Sequence, residues 1–220
     1  MILSEKNGWT FPSECNHFAK AFLDGFRKTN YQQKSLDLSY KYIKNFNVAI
    51  DIGANLGLMS RRYSETFKNV YSFEPVKSLF ECLQKNLDDK NNITFFNCGL
   101  GEEENNVTIS NLKDLDNFNS GNWSIVDFQN NKDKIISENI KIKTLDSFGL
   151  KPDFIKIDVQ SFELEVLKGS LKTIDKCSPV LQIEIQGKLK QQSNPIWKIL
   201  KDYNYSKVEK NNKDYIFVRK

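Results

Sequence analysis

The chain has 220 residues, which suits one α/β domain with a single core and leaves no room for a second full domain. Its composition, 39% hydrophobic and 27% charged, is typical of a soluble globular protein, and the net charge of +4 is too small to indicate a nucleic-acid partner. Four cysteines without a C-x-x-C pair and a single histidine argue against a zinc site, so no metal is expected. Free cysteines, the lack of a signal peptide and the lack of a membrane-spanning apolar run predict a cytoplasmic protein.

The first 46 residues are predicted to form an N-terminal helical segment ahead of the main domain, which is expected to span 47–220. Apolar residues at helical spacing indicate helices at about 13–28 and 35–44. Such a segment could fold over a cleft as a lid. Its lone His17 is expected to be a surface or packing residue rather than a base.

From residue 47 onward, short apolar runs alternate with stretches of helical spacing. Strands are predicted at 47–52, 70–73, 93–96, 107–110, 124–126, 136–143, 153–158 and 180–185. Helices are predicted at about 56–67, 76–87, 162–174 and 195–203. A final pair of strands, 206–210 and 214–218, is joined by Asn211 and Asn212, which suit a tight hairpin turn. The alternation predicts an α/β doubly wound sheet, mostly parallel with a C-terminal antiparallel hairpin and with helices on both faces.

The strongest motif lies at the turn from the first strand of this sheet into the next helix, where Asp51, Gly53 and Gly57 form the pattern D-x-G-x-x-x-G. Ligands of open α/β sheets bind outside the carboxyl ends of such strands. Glu74 ends the following strand and can accept hydrogen bonds from both ribose hydroxyls of a nucleoside. A dinucleotide site would need G-x-G-x-x-G, and Asp51 would repel a pyrophosphate.

Asp51 suits instead the ammonium group of a methionine moiety, directly or through water. Taken alone, Asp51 could be a turn acid and Glu74 a surface acid. Their spacing favours a site for S-adenosylmethionine.

Several motifs, in this order, resemble the FkbM-like methyltransferases. They are 48–57 (VAIDIGANLG), 71–75 (YSFEP), 97–101 (NCGLG), 144–147 (TLDS), 153–159 (DFIKIDV) and 163–169 (ELEVLKG). The resemblance covers about residues 47–186, and the ordered set is specific although each motif alone is weak. It implies a class I methyltransferase fold of the Rossmann-like type, S-adenosylmethionine as methyl donor, and O-methylation of a sugar or another small hydroxylated molecule.

The resemblance also implies which residues bind the cofactor. The loop after the first strand would line the methionine end, Glu74 would hold the ribose, and the residues after the third strand would border the adenine. These residues are Asp51, Gly53, Ala54, Asn55, Gly57, Glu74, Pro75, Asn97, Cys98 and Gly99.

The chain departs from the family pattern after the fourth parallel strand. The family commonly has Asp-Val-Glu-Gly-x-Glu, whereas residues 158–163 read Asp-Val-Gln-Ser-Phe-Glu. Gln160 therefore replaces a carboxylate and Ser161 replaces a glycine, so the family's usual acceptor need not carry over. Glu163 matches the pattern, but an acid in a first helical turn also simply favours the helix dipole.

Lys156 and Asp158 are two residues apart on one strand, so both side chains project to the same face. A lysine in this apolar strand is costly unless it is paired. We predict a catalytic cluster of Lys156, Asp158 and Glu184 near the transferred methyl group, with Asp158 as the base or the acceptor anchor. The alternatives are a structural ion pair, or a divalent cation held by Asp158 and Glu184, which the lack of a third carboxylate disfavours.

Three functions therefore remain open. The favoured one is O-methylation of a hydroxylated small molecule or sugar. The second is ribose 2′-O-methylation of RNA, which would require a basic groove with exposed aromatic residues. The third is an inactive cofactor-binding interaction module, for which Gln160 and Ser161 are the only support. The polar loop 117–123, which ends at Trp123, is either a specificity loop or a plain connector. The sequence does not indicate the oligomeric state.

Overall fold

The computed structural model describes residues 2–13, 25–112, 123, 135–186 and 194–220. The strands are β1 (Leu3–Lys6), β2 (Trp9–Pro12), β3 (Val48–Ile52), β4 (Asn69–Phe73), β5 (Ile93–Phe96), β6 (Gly99–Leu100), β7 (Asn105–Leu112), β8 (Ile135–Lys143), β9 (Phe154–Ile157), β10 (Val180–Glu184), β11 (Tyr205–Asn211) and β12 (Asp214–Arg219). The α-helices are α1 (Gln33–Tyr40), α2 (Leu58–Ser64), α3 (Lys77–Asn86), α4 (Glu163–Lys168), α5 (Leu171–Cys177) and α6 (Pro195–Asp202), and Leu145–Phe148 forms a 3₁₀ helix. None of the helices in these ranges is long and apolar enough to cross a membrane.

A seven-stranded sheet in the order β11-β12-β10-β9-β3-β4-β5 forms the centre of the fold. The five strands from β10 to β5 run parallel, and β12 and β11 are added antiparallel at one edge. The predicted α/β fold, a mostly parallel sheet with a C-terminal antiparallel hairpin, is therefore confirmed. The hairpin turn lies at 212–213, one residue later than predicted, and Asn212 adopts the expected positive φ of 53°.

Helices cover both faces of this sheet, as predicted. Ile50 and Ile52 of β3 belong to a core cluster that includes residues of α4, α5 and α6. Ala49, on the opposite side of the same strand, packs in a second cluster with residues of α1 and α2. Because successive side chains of a strand point to opposite faces, Asp51 lies on the α1–α2 side together with Ala49.

A β-hairpin occupies part of the N-terminal segment, where the sequence predicts only helices. The strands β1 and β2 pair antiparallel, and Trp9 is fully buried. Asn86 of α3 fixes the hairpin, because its side chain accepts a hydrogen bond from the Thr10 amide at 2.6 Å and donates one to the Thr10 carbonyl at 2.9 Å. A contact across 76 residues leaves no local pattern in the sequence. Most of the predicted helix at 13–28 lies outside the described residues, and so does His17. The lid therefore stays a prediction.

A separate three-stranded sheet, β6-β8-β7, follows β5 in the chain; the sequence predicts β7 and β8 as short strands and does not predict β6. Its residues Ile109, Ile140 and Ile142 pack in one cluster with Leu79 of α3. The strand predicted at 124–126 lies outside the described residues. The single helix predicted at 162–174 is two helices, α4 and α5, because the chain turns at Gly169, where a Cβ would lie 1.8 Å from the carbonyl oxygen of Gly101.

Candidate active site

The carboxyl ends of β4, β3, β9 and β10 border one cavity of about 690 Å³. The order of the strands sets the order of the side chains along it, from Glu74 at one end to Glu184 at the other. Most of the site residues predicted from the sequence line this cavity: Asp51, Gly53, Ala54, Asn55, Glu74, Pro75, Cys98, Gly99, Lys156, Asp158 and Glu184. Gly57 and Asn97 are not part of the lining.

Asp51 is buried in the cavity wall, with 1% of its surface exposed. Its Oδ2 atom accepts a hydrogen bond from Ser60 Oγ at 2.6 Å, and Ser60 Oγ accepts one from Ser72 Oγ at 2.8 Å. The Oδ1 atom is buried and has no hydrogen-bond partner among the described residues. Burial raises the pKa of Asp51, although the nearby Lys156 ammonium and the Ser60 hydroxyl oppose this. A buried acceptor without a donor costs about 1–3 kcal/mol, so Oδ1 is suited to a ligand that donates a hydrogen bond.

Glu74 is also buried, and backbone amides hold both of its carboxylate oxygens. Oε2 accepts a hydrogen bond from the Asn55 amide at 2.8 Å, and Oε1 accepts one from the Val76 amide at 2.9 Å. Burial raises the pKa of Glu74 to about 7 despite these two bonds. Each oxygen keeps further capacity to accept hydrogen bonds, so the carboxylate can receive two donors from a ligand.

Gly57 and Asn97 support this end of the site from behind. Gly57 has a φ of 88°, and a Cβ on it would lie 2.8 Å from the Leu83 side chain. Asn97 Nδ2 donates hydrogen bonds to the carbonyls of Glu74 and Pro75, both at 3.0 Å. Both residues therefore shape the turns that carry the lining.

The cavity is apolar on the side of the three-stranded sheet. Cys98 and Gly99 follow β5 and face Ile142, whose Cδ1 atom would lie 2.7 Å from a Cβ on Gly99. Ile109 and Trp123 also line this end. Burial raises the pKa of Cys98 to about 11, so its thiol stays protonated and acts as a small apolar surface.

The polar end contains the predicted pair of Lys156 and Asp158. The Nζ atom of Lys156 lies 2.9 Å from Asp158 Oδ2, and only 3% of the lysine side chain is exposed. Burial by itself would lower the pKa of Lys156, but the carboxylates of Asp158 and Asp51 outweigh it and raise that pKa above its ordinary value. Burial likewise would raise the pKa of Asp158, but Lys156 outweighs it and the pKa is lowered. The predicted ion pair is thus confirmed, and both members are charged.

Glu184 lies next to this pair and is connected to it by two glutamines. Gln160 Nε2 donates to Asp158 Oδ1 at 3.1 Å and to Glu184 Oε2 at 3.3 Å. Gln186 Nε2 donates to Glu184 Oε2 at 3.2 Å and to Gln160 Oε1 at 3.1 Å. Burial and the neighbouring Asp158 raise the pKa of the half-buried Glu184 to about 7. A neutral amide therefore donates to both carboxyl groups at the position where the family pattern has a third acid.

Some lining residues were not identified from the sequence as part of a site. Among the polar ones are Tyr31, which is 38% exposed, Glu165, Gln186 and Lys213. Glu163, in contrast, is not part of the lining: its Oε1 atom accepts hydrogen bonds from the amides of Val159 at 3.2 Å and Ser161 at 3.1 Å. Among the described residues, no group of three or more histidine, cysteine or acidic side chains is arranged to hold a metal ion.

An open, mostly parallel sheet with a cavity at its carboxyl edge, continued by an antiparallel C-terminal hairpin, agrees with the class I methyltransferase fold expected from the sequence. The family model described as the methyltransferase FkbM domain matches residues 51–207. The chain therefore belongs to the FkbM methyltransferase family.

Two solved structures show the same fold. The methyltransferase FkbM from Methylobacillus flagellatus KT is 21% identical, with a TM-score of 0.53 over 78% of this chain, and the chain spans only 42% of that protein's length. The magnesium protoporphyrin IX methyltransferase from Synechocystis PCC 6803, solved with bound S-adenosylmethionine, is 13% identical, with a TM-score of 0.50 over 87% of this chain and 80% of its own. No curated protein sequence matches this chain.

Proposed function

We propose that this protein transfers a methyl group from S-adenosylmethionine to a hydroxyl oxygen of a sugar or another small hydroxylated molecule. The observation that carries the proposal is the pair of buried carboxyl groups at neighbouring strand tips. Asp51 lines the cavity, and its buried Oδ1 atom has no hydrogen-bond partner among the described residues; Glu74 ends the next strand with its carboxylate held by two backbone amides.

These residues fit the cofactor in type and position. Asp51 would accept a hydrogen bond from the ammonium group of the methionine moiety, directly or through water, and Glu74 would accept both ribose hydroxyls. The apolar end beside Cys98 and Gly99 would take the adenine ring. When bound, S-adenosylmethionine supplies an electrophilic methyl group, and the protein's task is to place an acceptor oxygen in line with it.

The acceptor would bind at the other end of the cavity, near Lys156, Asp158 and Glu184. This end also carries the amides of Gln160 and Gln186, so it presents both donors and acceptors of hydrogen bonds. Such a mixed set is suited to a molecule with several hydroxyl groups, because each hydroxyl both donates and accepts.

The same end disfavours an RNA acceptor. The carboxyl groups of Asp158 and Glu184 lie close together beside one buried cation, Lys156, and would repel the phosphates that supply most of the affinity in nucleic-acid binding. Lys213 is the only other cation that the described residues contribute to the lining.

Calorimetric titration with S-adenosylmethionine and S-adenosylhomocysteine tests the cofactor site. Asp51→Asn and Glu74→Gln each remove the charge of one buried acceptor, worth about 1–3 kcal/mol, so we expect roughly 10- to 100-fold weaker binding. Glu81→Gln, at an exposed position of α3, is the matched control and should bind like the unaltered protein. Unchanged affinity in both Asp51→Asn and Glu74→Gln would remove these residues from the cofactor site.

Release of S-adenosylhomocysteine tests the transfer itself. The panel should contain monosaccharides, oligosaccharides, glycolipid head groups and RNA oligonucleotides, with each methylated product located by mass spectrometry. The proposal expects turnover with a sugar or small hydroxylated compound. Tight cofactor binding without turnover on any acceptor would instead identify an inactive interaction module, and turnover on RNA alone would identify a ribose methyltransferase.

A further inference from the structure

Asp158 and Glu184 form a carboxyl pair at the tips of β9 and β10, and the two groups have unequal surroundings. Asp158 has a donor on each oxygen: Lys156 Nζ on Oδ2 at 2.9 Å and Gln160 Nε2 on Oδ1 at 3.1 Å. Its negative charge is therefore held by an ion pair. A carboxylate paired in this way is a poor acceptor for a further proton.

The Oε2 atom of Glu184 accepts hydrogen bonds from two neutral donors, the amides of Gln160 at 3.3 Å and Gln186 at 3.2 Å, and the Glu184 carboxyl group is also hydrogen-bonded to that of Asp158. The charged and titratable groups around it come from four other parts of the fold. Lys156 belongs to β9 and Asp158 directly follows that strand. Lys213 lies in the β11–β12 turn, and Asp214, the cross-strand neighbour of Glu184 on β12, accepts a hydrogen bond from Ser35. Tyr31 faces the pair from the segment before α1.

We infer that Glu184, rather than Asp158, accepts the proton of the acceptor hydroxyl, while Asp158 and Lys156 hold a fixed charge beside it. This inference rests on the proposed function. In the transfer step the acceptor oxygen forms a bond to the methyl carbon, and the bond from that carbon to sulfur breaks with its electron pair left on sulfur. The acceptor O–H bond breaks, and its proton goes to the carboxylate of Glu184.

The proton affinities of the pair agree with this assignment. Burial would raise the pKa of Asp158, but the Lys156 ammonium outweighs it and lowers that pKa. Burial, together with the resulting charge on Asp158, raises the pKa of Glu184 to about 7. Two adjacent carboxyl groups commonly share one proton in this way, and a base whose pKa is close to the working pH is the most effective.

Gln160 contributes a neutral amide where a glutamate would add a third carboxyl group to this pair. Its amide nitrogen faces both carboxyl groups, and Gln186 fixes that orientation by donating to Gln160 Oε1 at 3.1 Å. Gln160→Glu would place a third carboxyl group beside Glu184 and should raise its pKa further. Asp158→Asn should lower it, because the neighbouring like charge is removed.

A first test observes the proton on the free protein, without cofactor or acceptor. Carbon-13 resonances of labelled glutamate side chains are followed against pH, and Glu184→Gln and Glu74→Gln each assign one carboxyl that titrates near neutrality. We expect the midpoint of the Glu184 titration curve to move to lower pH in Asp158→Asn and to higher pH in Gln160→Glu. The inference would be overturned if Glu184 titrated at the ordinary glutamate pKa and its midpoint were the same in both variants as in the unaltered protein.

A second test uses turnover with the best acceptor from the panel. Glu184→Gln should lower kcat by about 10²- to 10⁴-fold with little change in KM, and should abolish the acid limb of the pH profile. Asp158→Asn should move that limb to lower pH, and Glu81→Gln should match the unaltered protein.

Turnover of Glu184→Gln within about tenfold of the unaltered protein, with an unmoved acid limb, would overturn the inference and leave the proposed function standing. If the unaltered protein turns over no acceptor, the proposed function fails and the assignment of the base fails with it.

Discussion

Gly53 and Asp158 touch so closely that a β-carbon on Gly53 would lie 2.0 Å from the carbonyl oxygen of Asp158. The contact joins the end of β3, which carries the cofactor loop, to the end of β9, which carries the acceptor cluster. Gly53 also has a φ of 83°, which residues with a side chain rarely adopt. The two halves of the site are therefore held together by main chain rather than by a flexible side-chain contact.

Gly53→Ala should consequently destabilise the protein far more than another glycine substitution at positive φ. Gly149 is the matched control, because it has a φ of 62° and a Cβ on it would meet no atom within 4 Å. We expect Gly149→Ala to lower the free energy of unfolding by about 1–2 kcal/mol through backbone strain alone. Gly53→Ala adds a clash with main chain and should lower it by at least ~4 kcal/mol or prevent folding. Urea unfolding measures both, and equal losses would contradict the close contact.

Ser161→Gly should stabilise the protein. Ser161 has a φ of 78°, at a position where the family pattern has glycine. Relief of a left-handed conformation is worth about 1–2 kcal/mol, and the greater freedom of glycine in the unfolded chain removes about 0.5–1 kcal/mol of this. We expect a net gain of about 0.5–1 kcal/mol in urea unfolding. The control Asn212→Gly, at a turn asparagine with a φ of 53°, should gain less, because asparagine tolerates this conformation.

Glu74 should make the unfolding free energy fall as the pH rises. Its pKa is raised from 4.5 to about 7 in the folded state, so between these values the folded protein binds a proton that the unfolded chain releases. The associated stability is complete below about pH 4.5 and is lost by about pH 7, with a size on the order of 3 kcal/mol. Glu74→Gln should show a smaller decline over this range, measured by urea unfolding without ligand. In the control Glu81→Gln, the free energy of unfolding should fall as steeply with pH as in the unaltered protein. An equally steep fall in Glu74→Gln would show that the pKa of Glu74 is not raised.

Asn86→Ala should loosen the N-terminal hairpin. The substitution removes two hydrogen bonds to Thr10 and a third to the carbonyl of Leu56, all in buried surroundings. Buried groups left without partners cost about 1–3 kcal/mol each, so the loss of three such bonds should lower the free energy of unfolding by at least ~3 kcal/mol in urea unfolding. Faster hydrogen exchange in β2 should accompany it. Asn91→Ala, at an exposed position nearby, serves as the control and should change neither quantity.

The sequence predicts the central strands well, because their signal is local. The strands β3, β4, β9 and β10 lie within one or two residues of the predicted ranges, since each is an apolar run that is buried on both faces. The pairing of Lys156 with Asp158 was also predictable, because a lysine in such a strand needs a counter-charge and the period of two places both on one face.

The remaining features depend on residues that are distant in the chain. The environment of Glu184 depends on Gln160, which has a positive φ in the turn after β9, and on Gln186, which follows β10. Tyr31 lines the cavity from the segment before α1, a helix that packs on β10, β11 and β12. Glu163 fits the family pattern, but the structure shows it bonded to backbone amides of the β9–α4 turn, which a sequence motif cannot distinguish from a ligand contact.

The hairpin β1–β2 also bears on how the chain can be shortened. Trp9 and Phe11 belong to the same cluster as Leu56 and Leu58, two residues that line the cavity. A version that begins at residue 47, where a domain boundary would be drawn from the sequence, would leave that side of the cavity wall bare to water. Such a trimmed protein should be prone to aggregate, and any engineering of this scaffold should retain its first dozen residues.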